Sequence, residues 1–72
     1  MKRRAMVLKG DKWEQGYVAS QFDRMFRNKF RLISSDEKEL VVELIKFSVI
    51  DELIMLKKIL KGRNYYIGRL KD

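Results

Sequence analysis

Between Asp36 and Lys61 apolar side chains fill most helical positions: Leu40, Val41, Val42, Leu44, Ile45, Phe47, Val49, Ile50, Leu53, Ile54, Met55, Leu56, Ile59 and Leu60. At about 100° per residue they cover roughly 260° of a helix, leaving Glu39, Glu43, Lys46, Lys57 and Lys61 as the polar strip. The end signals agree with a helix over about 36–61. Ser34 and Ser35 are cap residues, Asp36, Glu37 and Glu39 crowd the first turns, Lys57, Lys58 and Lys61 crowd the last, and Gly62 follows. Such a helix is roughly 39 Å long. One neighbour cannot cover an apolar girth that wide, so the pattern predicts a second copy packed on Val42, Ile45, Val49, Leu53, Leu56 and Leu60.

A second apolar face, Val18, Ala19, Phe22, Met25, Phe26, Phe30, Leu32 and Ile33, predicts a helix over about 17–33. It begins either near Gly16 or at Asp11, where Asp11 and Glu14 have box-like spacing; Gly16 costs about 1 kcal/mol inside a helix, which favours the later start. The short link Ile33–Asp36 then makes the two helices antiparallel neighbours, pairing Phe22 with Phe47, Phe26 with Leu44 and Phe30 with Leu40. The predicted fold is mainly all-α: a two-helix antiparallel hairpin (about 17–33 and 36–61) with short extended terminal segments, dimerising into a helical bundle. Residues 5–8 and 65–70 are expected to pair as short antiparallel strands. A rival reading turns 5–9 and 12–19 into a β-hairpin around Gly10-Asp11.

Composition narrows the function. The 72 residues carry 17 Lys and Arg against 10 Asp and Glu, with no Cys, Pro or His. A chain of this length predicts a single domain over 1–72, with a basic N-terminal arm (1–10) and a basic aromatic C-terminal tail (63–72). Without His or Cys, histidine acid–base chemistry, thiolate chemistry and zinc sites drop out. An enzyme is therefore not expected, nor is any cofactor or metal. No apolar run is long enough to span a membrane, and the apolar stretch after Lys2-Arg3-Arg4 is too short for a signal peptide. A cytoplasmic protein is the expectation.

Charge is segregated: net +6 over 1–33, −4 over 34–56 and +5 over 57–72. In the hairpin, Lys2, Arg3, Arg4, Lys9 and Lys12 gather with Lys57, Lys58, Lys61, Arg63, Arg69 and Lys71 into a basic pole suited to polyanions. Arg24, Arg27 and Arg31, with Asn28 and the aromatics Trp13 and Tyr17, form a second candidate face for phosphates and bases. Glu52 lies mid-arc on the long helix and must find a partner, Tyr17 or a base of the second copy. These features predict a small regulatory nucleic-acid-binding homodimer, DNA or RNA, with Arg3, Arg4, Arg24, Arg27, Arg31, Lys57, Lys58, Lys61 and Arg63 as contacts. The alternative is an adaptor or inhibitor that binds an acidic protein partner through its apolar helix.

Overall fold

The computed structural model describes residues 3–70. Its elements are β1 (Arg4–Lys9), α1 (Lys12–Met25), β2 (Phe30–Ser35), β3 (Glu39–Leu44), α2 (Val49–Ile54) running into a π-helical turn (Met55–Ile59), and β4 (Asn64–Arg69). The strands form one sheet in the order β2-β3-β1-β4, with every neighbouring pair antiparallel. This is the split β-α-β connectivity. The fold is therefore α+β, and the expected all-α helical hairpin, with its helical bundle, is not formed.

The reason lies in residues 39–44. Leu40, Val42 and Leu44 are buried while Glu39, Val41 and Glu43 are only half-buried, a period of two that a helical reading absorbs as part of a wide apolar arc. Splitting the stretch removes the excess girth: its first half buries one face as a strand and its second half becomes a short helix. The break falls at Lys46, whose φ of 54° ends the extended run. Ser48 then opens α2 with a reciprocal cap, its hydroxyl accepting from the Asp51 N–H and its own N–H donating to the Asp51 carboxylate. The same happens in 17–33. The helix stops at Phe26, Asn28 takes φ 70°, a left-handed conformation that asparagine tolerates, and residues 30–35 continue as β2.

The favoured late start of α1 is corrected: the helix begins at Lys12, with Asp11 accepting from the Glu14 N–H and Gly16 inside it, so the rival hairpin over 12–19 is also absent. The expected pairing of 5–8 with 65–70 is present, with Ala5 opposite Gly68 and Leu8 opposite Tyr65. The expected helix–helix contacts are replaced: Phe26 packs on Phe47 (ring centroids 4.7 Å apart), Phe22 on Phe30 (5.6 Å), and Phe30 stands opposite Leu44 in the ladder.

Both helices lie on one face of the sheet. Met6 and Leu8 from β1 and Leu40, Val42 and Leu44 from β3 meet Val18, Phe22 and Phe26 from α1 and Met55, Ile59 and Leu60 from α2 and its extension. The π turn, closed by the Leu60 N–H on the Met55 carbonyl at 3.0 Å, accompanies burial of both Ile59 and Leu60 where the chain leaves the helix. Gln15 is the one buried polar side chain of this core among the described residues. Its amide donates to the carbonyls of Gly10 and Asp36, both at 2.8 Å, and accepts from the Ser35 hydroxyl at 2.6 Å.

Phe22, fully buried and touching two other phenylalanine rings, is the keystone of that core. Phe22→Ala is expected to cost about 3–5 kcal/mol. That is a large part of the ~4–11 kcal/mol available to a chain of this size. Urea denaturation followed by circular dichroism should show a collapse of the midpoint, while Arg24→Ala on the solvent side of α1 should leave it nearly unchanged.

Candidate interaction surfaces

The face of the sheet away from the helices presents Ala5, Val7 and Lys9 on β1, Glu39, Val41 and Glu43 on β3, Asn64, Tyr66 and Gly68 on β4, and Arg31 on β2, as strand alternation and register dictate. Its charges neutralise one another. Glu43 accepts from Arg3 at 3.0 and 3.1 Å and from Arg31 at 3.0 and 2.9 Å, and Lys9 pairs with Glu39 at 2.6 Å. Tyr66 is the only aromatic at these positions, and Lys9 lies over it at 6.0 Å. Two of the predicted phosphate contacts, Arg3 and Arg31, are thus engaged by one carboxylate.

Two more are engaged elsewhere. Arg4 pairs with Glu52 at 2.7 Å, which raises the guanidinium pKa and supplies the partner that the position of Glu52 demanded; that partner is neither Tyr17 nor a second copy. Arg63 donates to Glu14 at 2.6 Å and to the Ile59 carbonyl at 3.0 Å, and its guanidinium lies 4.8 Å over the Tyr17 ring. The remaining predicted contacts, Arg24, Arg27, Lys57, Lys58 and Lys61, have no carboxylate partner among the described residues.

The sheet also separates the bases expected at one pole. Register places Arg4, Phe30, Leu44 and Arg69 at one end and Lys9, Ser35, Glu39 and Asn64 at the other. The helix α1 returns to the first end, bringing Arg24 and Arg27 there, and α2 climbs to the second, bringing Lys57, Lys58 and Lys61. Lys2 and Lys71 of the expected pole lie outside the described residues.

The expected dimer stripe is dispersed as well. Val42 and Leu60 are inside the core, Ile45 and Leu56 are half-buried, and only Val49 and Leu53 are exposed. With Ile50 and Ile54 these two make the outward side of α2, exposed by 78% (Val49), 68% (Ile50), 49% (Leu53) and 38% (Ile54). At about 100° per residue the four fall within one arc of roughly 140°, opposite the buried Met55. Exposed Lys57 and Lys58 follow on the π turn, and exposed Lys61 lies in the turn after it. A shallow cleft of about 150 Å³ between Val49, Glu52, Leu53 and Leu56 flanks the apolar side. The sequence pattern contained these apolar residues, but it assigned them to the middle of a long helix. The signal for the true start of α2 was Ser48-x-x-Asp51, a capping spacing inside the apolar run.

On α1, Trp13 is 78% exposed and lies beside Tyr17, ring planes 11° apart and centroids 6.4 Å apart. Among the described residues no group of three or more His, Cys, Asp or Glu could hold a metal ion. No helix there is long and apolar enough to cross a membrane.

Glu43 offers a direct check of the charge ladder. Its hydrogen bonds from Arg3 and Arg31 hold the carboxyl at about 2, against an ordinary 4.5. Because the folded state disfavours protonation more than the unfolded chain does, the stabilisation is complete above the ordinary value and is lost as pH falls from about 4.5 towards 2. Thermal melts of Glu43→Gln should therefore lie below the wild type at neutral pH and converge with it across that acid window. No protein-family model matches the chain, and no curated protein or solved structure matches it significantly, so the function rests on these surfaces alone.

Proposed function

We propose that this chain is a protein-interaction module, not an enzyme, that binds an acidic amphipathic segment of another protein along the outward side of α2. The observation that carries the reading is the exposed apolar side formed by Val49, Ile50, Leu53 and Ile54, followed along the chain by exposed Lys57 and Lys58 on the π turn and Lys61 just after it. Single exposed aliphatics are ordinary, but four on adjacent turns of one helix form a patch of the kind that marks an interaction site. Phosphates have no use for it. The lysines select the partner: they carry three charges with no carboxylate to answer them, so an apolar segment that brings Asp or Glu onto them satisfies both the apolar side and the lysines.

A second copy of this chain answers the charge less well. The acids of the same helix, Asp51 and Glu52, are already held by Lys29 at 2.8 Å and by Arg4 at 2.7 Å. A cytoplasmic setting belongs to the same proposal, since a chain without cysteine needs no oxidising compartment.

The test places a photo-crosslinking amino acid at position 53 of the full chain, with position 34 on the sheet's other face as control. After irradiation in cells, mass spectrometry of the adduct should identify a peptide rich in both Asp or Glu and aliphatic residues, joined at position 53 and not at 34. Against the purified partner, Leu53→Glu is expected to weaken binding by about thirtyfold or more, the loss typical of a central apolar anchor. Adducts only with the chain itself, or with peptides lacking acids, would overturn the proposal.

A further inference from the structure

The sheet has two edges, and the chain treats them differently. On β2 the pairing with β3 shifts between Leu32 and Ser34, a bulge that bends the strand. The Asp36 N–H donates to the Glu39 carbonyl, so alternation turns the backbone groups of Ser34 inward and those of Ser35 outward. The Lys12 ammonium donates to that outward Ser35 carbonyl at 3.1 Å. Bulges and edge lysines are common defences against the addition of another strand. The β4 edge has neither. It runs in unbroken register from Asn64 to Arg69, and Tyr65-Tyr66-Ile67-Gly68 carries no charge and no proline. The Leu70 N–H donates to the Arg3 carbonyl, so by alternation Gly68, Tyr66 and Asn64 also bond β1. Tyr65, Ile67 and Arg69 therefore aim their N–H and carbonyl groups away from the sheet. Among the described residues nothing bonds them.

We propose that β4 pairs with β4 of a second copy of this chain, antiparallel about a two-fold axis at Ile67, joining two sheets into one. The outward groups then match Ile67 with Ile67, and Tyr65 with Arg69 of the second copy, each pair exchanging both backbone bonds. The side chains select this register. On the face away from the helices, Tyr66, 54% exposed, comes opposite Gly68 of the second copy, where a Cβ would meet nothing within 4 Å. A ring laid over a facing edge glycine is a recurrent stabilising pair. On the helix side, Arg69 has no carboxylate partner among the described residues and comes opposite Tyr65, whose ring accepts a guanidinium. The two Arg69 side chains stand about 14 Å apart along the strands, beyond the ~8 Å over which physiological salt lets exposed charges interact. Neighbouring registers lose these matches. An axis at Tyr66 sets Arg69 opposite Arg63, and an axis at Gly68 brings the two Arg69 to about 7 Å.

Size exclusion with light scattering on the full chain is expected to give twice the chain mass at about 100 μM, falling on dilution. Arg69→Pro removes an N–H that the sheet of a single copy does not use, a position where an edge strand accepts proline. It should weaken the dimer about tenfold or more, with an unchanged circular dichroism spectrum. The chain has no cysteine, so introduced thiols read the register. Tyr66→Cys mixed with Gly68→Cys should crosslink to each other on mild oxidation faster than either does to itself, because facing Cα atoms lie about 4.5 Å apart. That readout decides the matter should Arg69→Pro fail to fold. Leu53→Glu, on the outward side of α2, should leave the dimer intact. The proposal is overturned by a monomer at every concentration up to ~1 mM. It is equally overturned by a dimer that folded Arg69→Pro leaves unchanged, by one that Leu53→Glu abolishes, or by crosslinking without preference for the mixed pair.

Discussion

Pairing along β1 is the constraint on which the rest of this molecule depends. The strand is interior to the sheet, hydrogen-bonded to β3 on one side and β4 on the other, and Ala5, Met6, Val7 and Leu8 are all buried. Without it the sheet reduces to one hairpin and a lone strand. With it, Met6 and Leu8 present an apolar strip that α1 and α2 must cover, while the opposite face is shielded by cross-strand ion pairs and not by a further layer. The buried Gln15 serves the same end, tying the loop after β1 to the turn between β2 and β3 through three hydrogen bonds.

This arrangement explains what could be read from the sequence and what could not. The pairing of residues 5–8 with 65–70 was legible because two short apolar runs had nothing else to do. The early start of α1 was legible as one of two options, through Asp11 and Glu14. Residues 36–61 were not legible as strand plus helix, because Leu40-Val41-Val42 and Leu44-Ile45 satisfy a period of 3.6 as readily as one of two when apolar residues are this dense. The tertiary need for a strand beside β1 decided between the periods, and that need is not local. An apolar girth that wide calls for a partner helix or for a change of conformation, and the chain takes the second at Lys46.

The sheet disperses the sites that a helical hairpin would gather. Arg3, Arg4 and Arg63 look free on a helical hairpin, yet the fold brings each to a carboxylate. Bases recruited this way describe architecture, while Arg24, Arg27, Lys57, Lys58 and Lys61, without carboxylate partners among the described residues, describe surface. Val49 and Leu53 remain exposed, although Val42 and Leu60 from the same predicted stripe went into the core. What is left uncovered is thus a short helix side, smaller than the sequence implied and better defined.

The pairing of β1 with β4 also bears on how the chain is made. The first element of the fold receives its second neighbour only from the last, some sixty residues later. During synthesis β1 emerges with α1, then gains β3, and waits with one edge open while the apolar side of α2 is already outside the ribosome. The domain can close only when β4 is free of the exit tunnel. Until then, the open edge of the central strand and a sticky helix are exposed together, the combination that chaperones recognise and that aggregation exploits. The surface proposed to greet a partner is therefore also the surface most in need of protection in the seconds before the fold exists.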